Sequence, residues 1–452
     1  MSEKRSSFTG KIGFVLAAAG SAVGLGNIWR FPYLAAKYGG GMFLLTYIIL
    51  SVTFGFSLMV AEIAIGRKTG LSAIGAFKAL DRRFSFVGWM AALVPVIILP
   101  YYSVIGGWVM KYLFGFVSGG GASMAEDGFF SSYIGQAIEP VGWFFLFIAI
   151  TAVVVLFGVE KGVEKVSKVM MPALIAITIF VSGYSIFSMD GAVDGVLYYI
   201  TPDFSKFSVM TVVAALGQLF YSMSLAMGIM ITYGSYMKKD ISIDKSTKNI
   251  EIFDTGIAFL AGLMVIPAVF AFSGGNESAL GQGPGLMFIT LPKVFNAMPG
   301  GTFIGAAFFI MVFFAALTSS ISLMETVVSI VCDKLKIGRR TCCILVFAVS
   351  FALGLPSCLG YSVWSGVLIC GMQILDFFDF ASNSLLMPVV ALFTCIFVGY
   401  FIKPKAIIDE VEVVGNFKMK KMFSAVIRYI APVCLVLILI SSVLNALGII
   451  SI

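Results

Sequence analysis

The segment at residues 20–32 concentrates groups that could bind a small polar ligand inside an apolar stretch of membrane-spanning length. It reads Gly-Ser-Ala-Val-Gly-Leu-Gly-Asn-Ile-Trp-Arg-Phe-Pro, with three glycines, an asparagine and an arginine. Glycine-rich breaks in a membrane helix are tolerated only where protein or a cavity covers the freed backbone. A charged residue such as Arg30 is costly in a membrane and by default marks a functional path. The segment therefore predicts a buried binding site.

A second interruption occurs at residues 217–228, which read Gly-Gln-Leu-Phe-Tyr-Ser-Met-Ser-Leu-Ala-Met-Gly. Close helix packing explains small residues at either place taken alone. Two interrupted segments at corresponding points of two halves, however, are typical of the midplane binding site of a secondary transporter. The pair therefore favours a ligand held between the two breaks.

The elements that must position these segments are membrane helices. The chain has 452 residues, of which 60% are hydrophobic and 12% charged, and its mean hydropathy is +1.02. Apolar runs of about 20 residues, enough to cross a bilayer, recur along it. There is no histidine, and the seven cysteines are scattered without metal-site spacing, so enzyme chemistry at a metal is not indicated. We expect an all-α polytopic membrane protein in the lipid bilayer that is not an enzyme.

Eleven spans are predicted, at 11–36, 41–66, 85–117, 140–158, 165–188, 208–236, 246–272, 302–332, 341–357, 378–402 and 424–449. Lys and Arg collect in the loops that follow the even-numbered spans, which by the positive-inside rule are cytoplasmic. We therefore expect a cytoplasmic N-terminus and an extracytoplasmic C-terminus. The net charge of +7 reflects this topology, so no nucleic acid is expected as a partner.

Residues 20–32, Tyr101-Tyr102, residues 218–228 and residues 317–320 (Leu-Thr-Ser-Ser) together resemble the sodium-coupled neurotransmitter and amino-acid symporters, in the bacterial amino-acid branch. The resemblance covers nearly the whole chain in order. It implies a single transporter domain over 1–452, with a five-plus-five inverted repeat (11–188 and 208–402) and an extra C-terminal helix at 424–449. It also implies that helices 1 and 6 are broken at the midplane, alternating access, the bacterial inner membrane, and a monomer sufficient for transport.

The resemblance implies how an amino acid binds. Backbone amides at the break in span 1 and the Tyr102 hydroxyl would hold its carboxylate, because a helix N-terminus favours negative charge. Carbonyls freed at 220–222 would hold its amine. The implied substrate-binding residues are Ala22, Gly24, Leu25, Gly26, Ile98, Tyr102, Phe220, Tyr221, Ser222, Ser224, Met227, Ser319 and Leu323.

Two Na⁺ sites are implied as well, built from oxygen atoms as a hard cation requires. The first would use Ala22, Asn27, Ser222 and Asp254 together with the substrate carboxylate, which couples the ion to the substrate. The second would use Gly20, Val23, Ala315, Thr318 and Ser319. The alternative for the last two hydroxyls is a hydrogen bond back to their own helix.

Asp254 departs from the usual pattern of the resembled family, which commonly has asparagine there. In that family chloride, or a glutamate four residues further on, supplies the negative charge, and this glutamate position falls on Ala258 here. Asp254 would supply the charge itself, which predicts chloride-independent transport. The alternative is a shifted alignment in which Asp254 only marks the cytoplasmic end of span 7.

The resemblance finally implies gates. Arg30 would pair with Asp379 outside the substrate, and Arg5 with Asp333 on the cytoplasmic side. Glu62, within span 2, would brace the broken backbone of span 6.

The predicted substrate is a hydrophobic or aromatic L-amino acid. Relatives selective for small side chains can carry phenylalanine where this chain has Met227, which is flexible and polarisable. Charged side chains would be rejected, because no residue of opposite charge is available to pair with them. Two alternatives stay open: an amino-acid sensor that does not transport, and a proton-coupled transporter with Glu62 or Asp254 as carrier.

Overall fold

Helices long enough to cross a membrane make up most of the protein. The structure is a computed structural model that describes residues 7–274 and 284–446, so the predicted gate residue Arg5 lies outside the described residues. In the described part, nine continuous helices have the length and apolarity of a span, and no strand is present. They are span 2 (Gly41–Thr69), span 3 (Arg82–Val117), span 4 (Ile138–Leu156), span 5 (Val159–Phe187), span 7 (Ile243–Phe272), span 8 (Gly301–Leu335), span 9 (Arg339–Leu359), span 10 (Ile374–Phe401) and span 11 (Lys420–Ala446).

The two predicted breaks are present in the remaining two spans. Span 1 consists of Lys11–Ala22 and Gly26–Lys37, which meet at an angle of 56°. Span 6 consists of the two short helices Val209–Ser222 and Ile229–Ser235. The all-α membrane fold, with helices 1 and 6 interrupted, is therefore confirmed.

Unusual backbone geometry marks the break in span 6. Ser224 and Ala226 have φ angles of 53° and 61°, in the left-handed region that side-chain-bearing residues rarely adopt. Such strain persists only where surrounding contacts hold it. Here the Ser224 hydroxyl donates to the Ser21 carbonyl at 2.9 Å, and Glu62 Oε1 accepts from the Ala226 amide at 2.7 Å. Glu62 thus braces the broken backbone of span 6 as expected.

The observed limits of several spans differ from the predicted ones. Span 5 begins at Val159 rather than 165, and span 10 begins at Ile374 rather than 378. The helix of span 5 continues through Lys161 and Glu164, and the buried Glu164 carboxylate forms an ion pair with Lys168 one turn later. Shorter helices lie between the spans, at Ala73–Leu80, Gly121–Met124, Phe129–Ile134, Ala192–Ile200, Leu286–Ala297 and Lys403–Val411.

Glycines let the inner half of span 6 lie directly against span 2. A Cβ atom on Gly66 would lie 1.9 Å from the Ile231 carbonyl oxygen, and one on Gly234 would lie 2.4 Å from the Ile63 carbonyl oxygen. Membrane helices approach this closely only where small residues face each other. Span 2 therefore fixes the position of the segment that follows the break in span 6.

Candidate functional site

A cavity lies between the broken parts of spans 1 and 6 and is closed by spans 3, 8 and 10. Its lining residues carry no charged side chain. They are Ser21, Ala22, Gly24, Leu25, Gly26, Asn27, Ile98, Tyr102, Tyr221, Ser224, Met227, Ile229, Ser319, Leu323 and Asn383. All the predicted substrate-binding residues except Phe220 and Ser222 are in this set, and those two residues are buried in the same turn of span 6.

The end of the cavity at the break in span 1 can receive a carboxylate. The Leu25 amide faces the Tyr102 hydroxyl at 3.5 Å, at the start of the outer half of span 1. The N-terminus of that helix carries partial positive charge. A Cβ atom on Gly24 would lie 2.8 Å from Ser319 Oγ, and one on Gly26 would lie 2.2 Å from the Tyr221 ring. Glycine is therefore required at both positions for the backbone to approach its neighbours this closely.

Side chains tie the two breaks to each other. The Gln218 amide nitrogen donates to the Gly26 carbonyl at 3.0 Å, and the Ser21 hydroxyl donates to Ser224 Oγ at 3.0 Å. These hydrogen bonds connect the break in span 1 to the break in span 6. Residues of both breaks line the cavity.

Three of the four residues predicted for the first sodium site form a hydrogen-bond network around Asp254, in which Asn27 takes part through its amide nitrogen. Asp254 Oδ1 accepts from the Ser222 hydroxyl at 2.6 Å and from Asn27 Nδ2 at 2.8 Å. Its Oδ2 accepts from the Tyr47 hydroxyl on span 2 at 3.1 Å. Sequence reasoning missed this contact because a tyrosine in an apolar helix does not reveal which residue its hydroxyl binds. Asp254 is fully buried well inside span 7, so it does not mark a helix end. Ala22, the fourth predicted ligand, lines the adjoining cavity.

The predicted second sodium site joins the inner half of span 1 to span 8. The Ser319 hydroxyl lies 3.4 Å from the Gly20 carbonyl oxygen and 3.3 Å from that of Val23. One residue earlier, the Thr318 hydroxyl donates back to its own helix, to the Phe314 carbonyl at 2.9 Å and the Ala315 carbonyl at 3.2 Å. The Ser319 hydroxyl thus faces the carbonyls of span 1, whereas the Thr318 hydroxyl makes the bond to its own helix that is the alternative to a sodium ligand.

At the outer gate, the two predicted partners contact different residues. The Arg30 guanidinium lies over the Tyr221 ring, 5.4 Å from its centre, which is cation–π geometry. Asp379 Oδ1 instead accepts from the Tyr101 hydroxyl at 3.1 Å and from Asn383 Nδ2 at 2.6 Å. Asn383 also lines the cavity, and nothing in the sequence pattern pointed to it.

The segment that precedes span 1 packs against spans 5 and 6. Phe8 is fully buried and contacts the Phe14, Tyr233 and Tyr236 rings edge-on. The Thr9 amide donates to Glu164 on span 5 at 2.9 Å. These contacts hold the beginning of span 1 against spans 5 and 6.

The gate residue Asp333 accepts from the Ser72 amide at 3.1 Å. A second set of contacts, missed by sequence reasoning, links span 6 to spans 8 and 9. Tyr236 donates to the buried Glu325 at 2.9 Å, and Arg339 forms an ion pair with the same carboxylate. In the sequence, Arg339 is one of several basic residues in the loop that follows span 8. Nothing in that loop indicates that it pairs with a carboxylate inside span 8.

Comparison with known proteins agrees with this geometry. The sodium:neurotransmitter symporter family model matches residues 5–119 and 133–449. An uncharacterised sodium-dependent transporter of Bacillus subtilis, YhdH, is 35% identical over 100% of both chains. The human sodium- and chloride-dependent GABA transporter 2 is 26% identical and aligns with 90% of this chain and 75% of its own. The crystal structure of MhsT in complex with L-phenylalanine superposes with a TM-score of 0.88 at 35% identity, covering 97% of this chain and all of MhsT.

Proposed function

Because the chain belongs to the sodium:neurotransmitter symporter family, we propose that it takes up a hydrophobic or aromatic L-amino acid together with sodium by alternating access, without a need for chloride. Family membership makes the chain an integral membrane transporter that uses sodium, and not an enzyme. The identity of the amino acid, the number of sodium sites and the chloride independence are the proposed parts.

The observation that carries the proposal is the cavity between the two helix breaks. Amides at the start of the outer half of span 1 and the Tyr102 hydroxyl form one polar end. Tyr221 and Ser224, at the break in span 6, line the other side, and the walls between include Ile98, Met227 and Leu323. A zwitterion with an apolar side chain satisfies both polar ends and buries its side chain against these walls. A charged side chain would find no partner among the lining residues.

Two sodium ions would bind beside this cavity. The oxygen atoms at the two places suit a hard monovalent cation, since the first offers the Asp254 carboxylate and the Ser222 hydroxyl and the second offers carbonyl and hydroxyl oxygens. The first ion, at Asp254 and Ser222, would also touch the substrate carboxylate, so each would raise the affinity for the other. The second ion, at Thr318 and Ser319, would hold the inner half of span 1 against span 8.

The proposed chloride independence rests on the buried carboxylate of Asp254 at the first sodium site. Its carboxylate is buried and its three donors, Asn27, Ser222 and Tyr47, are neutral. A sodium ion bound there would be neutralised by a fixed charge of the protein. A chloride ion would then have no charge left to balance.

The remaining features of the proposal concern architecture. We assign the chain to one domain with repeats at 11–188 and 208–402, followed by a helix at 424–449 outside the repeat. The N-terminus would be cytoplasmic and the C-terminus extracytoplasmic in the bacterial inner membrane. One copy would suffice for transport, because the cavity and both sodium sites are built from a single chain.

The decisive experiment is uptake of a labelled amino-acid panel into proteoliposomes under an imposed sodium gradient, with chloride replaced by gluconate. We expect tryptophan, tyrosine, phenylalanine or leucine to accumulate, and to outcompete alanine and glycine. Binding without accumulation would make the protein a sensor. Uptake that survives collapse of the sodium gradient but not of the proton gradient would make it proton-coupled.

A further inference from the structure

One buried hydrogen-bond acceptor in the cavity has no donor. Among the described residues that line the cavity, only Asn383 has a buried side-chain polar atom, its Oδ1, without a hydrogen-bond partner. A buried acceptor without a donor is destabilising, so native proteins rarely leave one unless it serves a ligand. The other polar residues around it, such as Ser224 and Ser319, already make hydrogen bonds to the backbone of span 1.

The orientation of this carboxamide is set by its neighbours. Asn383 Nδ2 donates to Asp379 Oδ1 at 2.6 Å and to the Tyr101 hydroxyl at 3.1 Å. Turning the group over would place its oxygen against the carboxylate of Asp379, and two acceptors repel each other. The amide nitrogen of Asn383 therefore faces Asp379 and Tyr101. The amide oxygen, Oδ1, points away from Asp379.

Asn383 lies beside the part of the cavity that would receive a side chain. It follows Asp379 by one turn of span 10, and its partner Tyr101 lies on span 3, one turn after Ile98. Ile98 and Asn383 both line the cavity, together with Met227 and Leu323. The amine and carboxylate of an amino acid have their proposed partners elsewhere, so a donor for Oδ1 must come from the side chain.

We propose that Asn383 Oδ1 accepts a hydrogen bond from an aromatic side chain that carries a ring donor, the indole N–H of tryptophan or the phenol O–H of tyrosine. This inference rests on the proposed amino-acid transport. Small hydroxyl and amide side chains would leave the apolar walls unfilled, and charged ones would be unpaired. Asn383 is thus a specificity residue, because a site built to bind a donor disfavours an otherwise similar ligand that lacks it.

The test compares L-tryptophan with L-3-benzothienylalanine, in which sulfur replaces the indole N–H at nearly the same shape. Sodium-dependent binding of each is measured by calorimetry on the purified wild-type protein. We expect tryptophan to bind at least about tenfold more tightly, the effect of one satisfied buried hydrogen bond. In Asn383→Leu the ratio should fall to within about twofold, while benzothienylalanine still binds.

Tyr101→Phe is the matched control. It removes a donor to Asp379 and one of the two acceptors of Asn383 Nδ2, but the 2.6 Å bond from Asn383 to Asp379 still sets the orientation of the carboxamide, so both affinities should change by the same factor and their ratio should be preserved. Equal affinities in the wild type would overturn the proposal, and so would a ratio that survives in Asn383→Leu or collapses in Tyr101→Phe. If no amino acid binds with sodium, the proposed function fails instead. The wild-type comparison remains decisive if Asn383→Leu does not fold.

Discussion

Ser222 on span 6 and Asp254 on span 7 are joined by a 2.6 Å hydrogen bond from the serine hydroxyl to Oδ1 of the carboxylate. Tyr47 and Asn27 donate to the same group. These three donors are neutral, so they solvate the buried negative charge without cancelling it. The network thus links spans 1, 2, 6 and 7 around one carboxylate suited to a cation.

We expect Asp254→Asn to lower the sodium affinity about 100-fold in chloride-free buffer. The substitution keeps the shape and removes the charge, and loss of one member of a buried ion pair costs about 3 kcal/mol. Sodium titration of amino-acid binding in gluconate measures the effect.

Chloride should restore much of the lost affinity in Asp254→Asn, and so should Ala258→Glu placed in the same chain. Ala258 is fully buried on span 7, one turn from Asp254. A variant that keeps wild-type sodium affinity without chloride would contradict the assigned role of Asp254.

We expect Thr318→Val to weaken sodium binding about tenfold, because it removes a hydroxyl oxygen from the second sodium site at nearly constant volume. The readout is the sodium dependence of uptake. Ser320→Ala is the matched control, since the Ser320 hydroxyl contacts Thr151 on span 4 at 3.1 Å instead of span 1. If both variants change sodium affinity equally, the hydroxyl of Thr318 is not a ligand.

Gly26→Ala should abolish measurable amino-acid binding while the protein still folds. The added Cβ would lie 2.2 Å from the Tyr221 ring and force that ring to move at the edge of the cavity. Gly183→Ala on span 5 is the control, because nothing lies within 4 Å of its added Cβ. Binding by isothermal calorimetry distinguishes them, and normal affinity in Gly26→Ala would refute the placement of the cavity.

A stability prediction concerns Arg67 at the cytoplasmic end of span 2. Its fully buried side chain donates to Glu410 Oε1 at 2.8 Å and to the Ile241 carbonyl at 2.6 Å, which ties the helix Lys403–Val411 to span 2 and to the connection between spans 6 and 7. Arg67→Met leaves the Ile241 carbonyl without this donor, while Glu410 keeps its contact with Lys239 at 2.6 Å, and we expect a loss of about 2 kcal/mol from the hydrogen bonds of the buried guanidinium, seen as a clear drop in melting temperature.

Arg83→Met provides the comparison for Arg67→Met. The Arg83 side chain is 72% exposed, and hydrogen bonds from it lower the pKa of Asp81. Exposed pairs of this kind contribute little to stability, so the melting temperature should stay unchanged. Thermal unfolding in detergent, followed by size-exclusion chromatography, compares the two variants. An equal effect in both would show that burial of Arg67 is not the cause.

Much of the architecture could be predicted because it depends on local composition. Apolar length and loop charge are properties of single segments, so the spans and the two breaks at 20–32 and 217–228 were predicted directly. Helix limits were less accurate where charged residues such as Lys161 continue a helix beyond the apolar run. No local rule separates that case from a loop.

The site was predictable only where several residues share a recognisable pattern. Asn27, Ser222 and Thr318 lie in such stretches. Asn383 and Glu325 do not, because their roles depend on partners more than ten residues away, on spans 3 and 6. A single polar residue in an apolar helix gives no information about which neighbour it faces.

The bend in span 1 also determines how the protein can move. Two successive amides, those of Gly24 and Leu25, bind the side-chain oxygens of Asn27 and Tyr102 in place of carbonyls one turn earlier. The angle between the two halves can therefore change without breaking the hydrogen-bond ladder of either helix. The inner half of span 1 can therefore tilt about Gly24 and Leu25 while the outer half keeps its position beside the cavity.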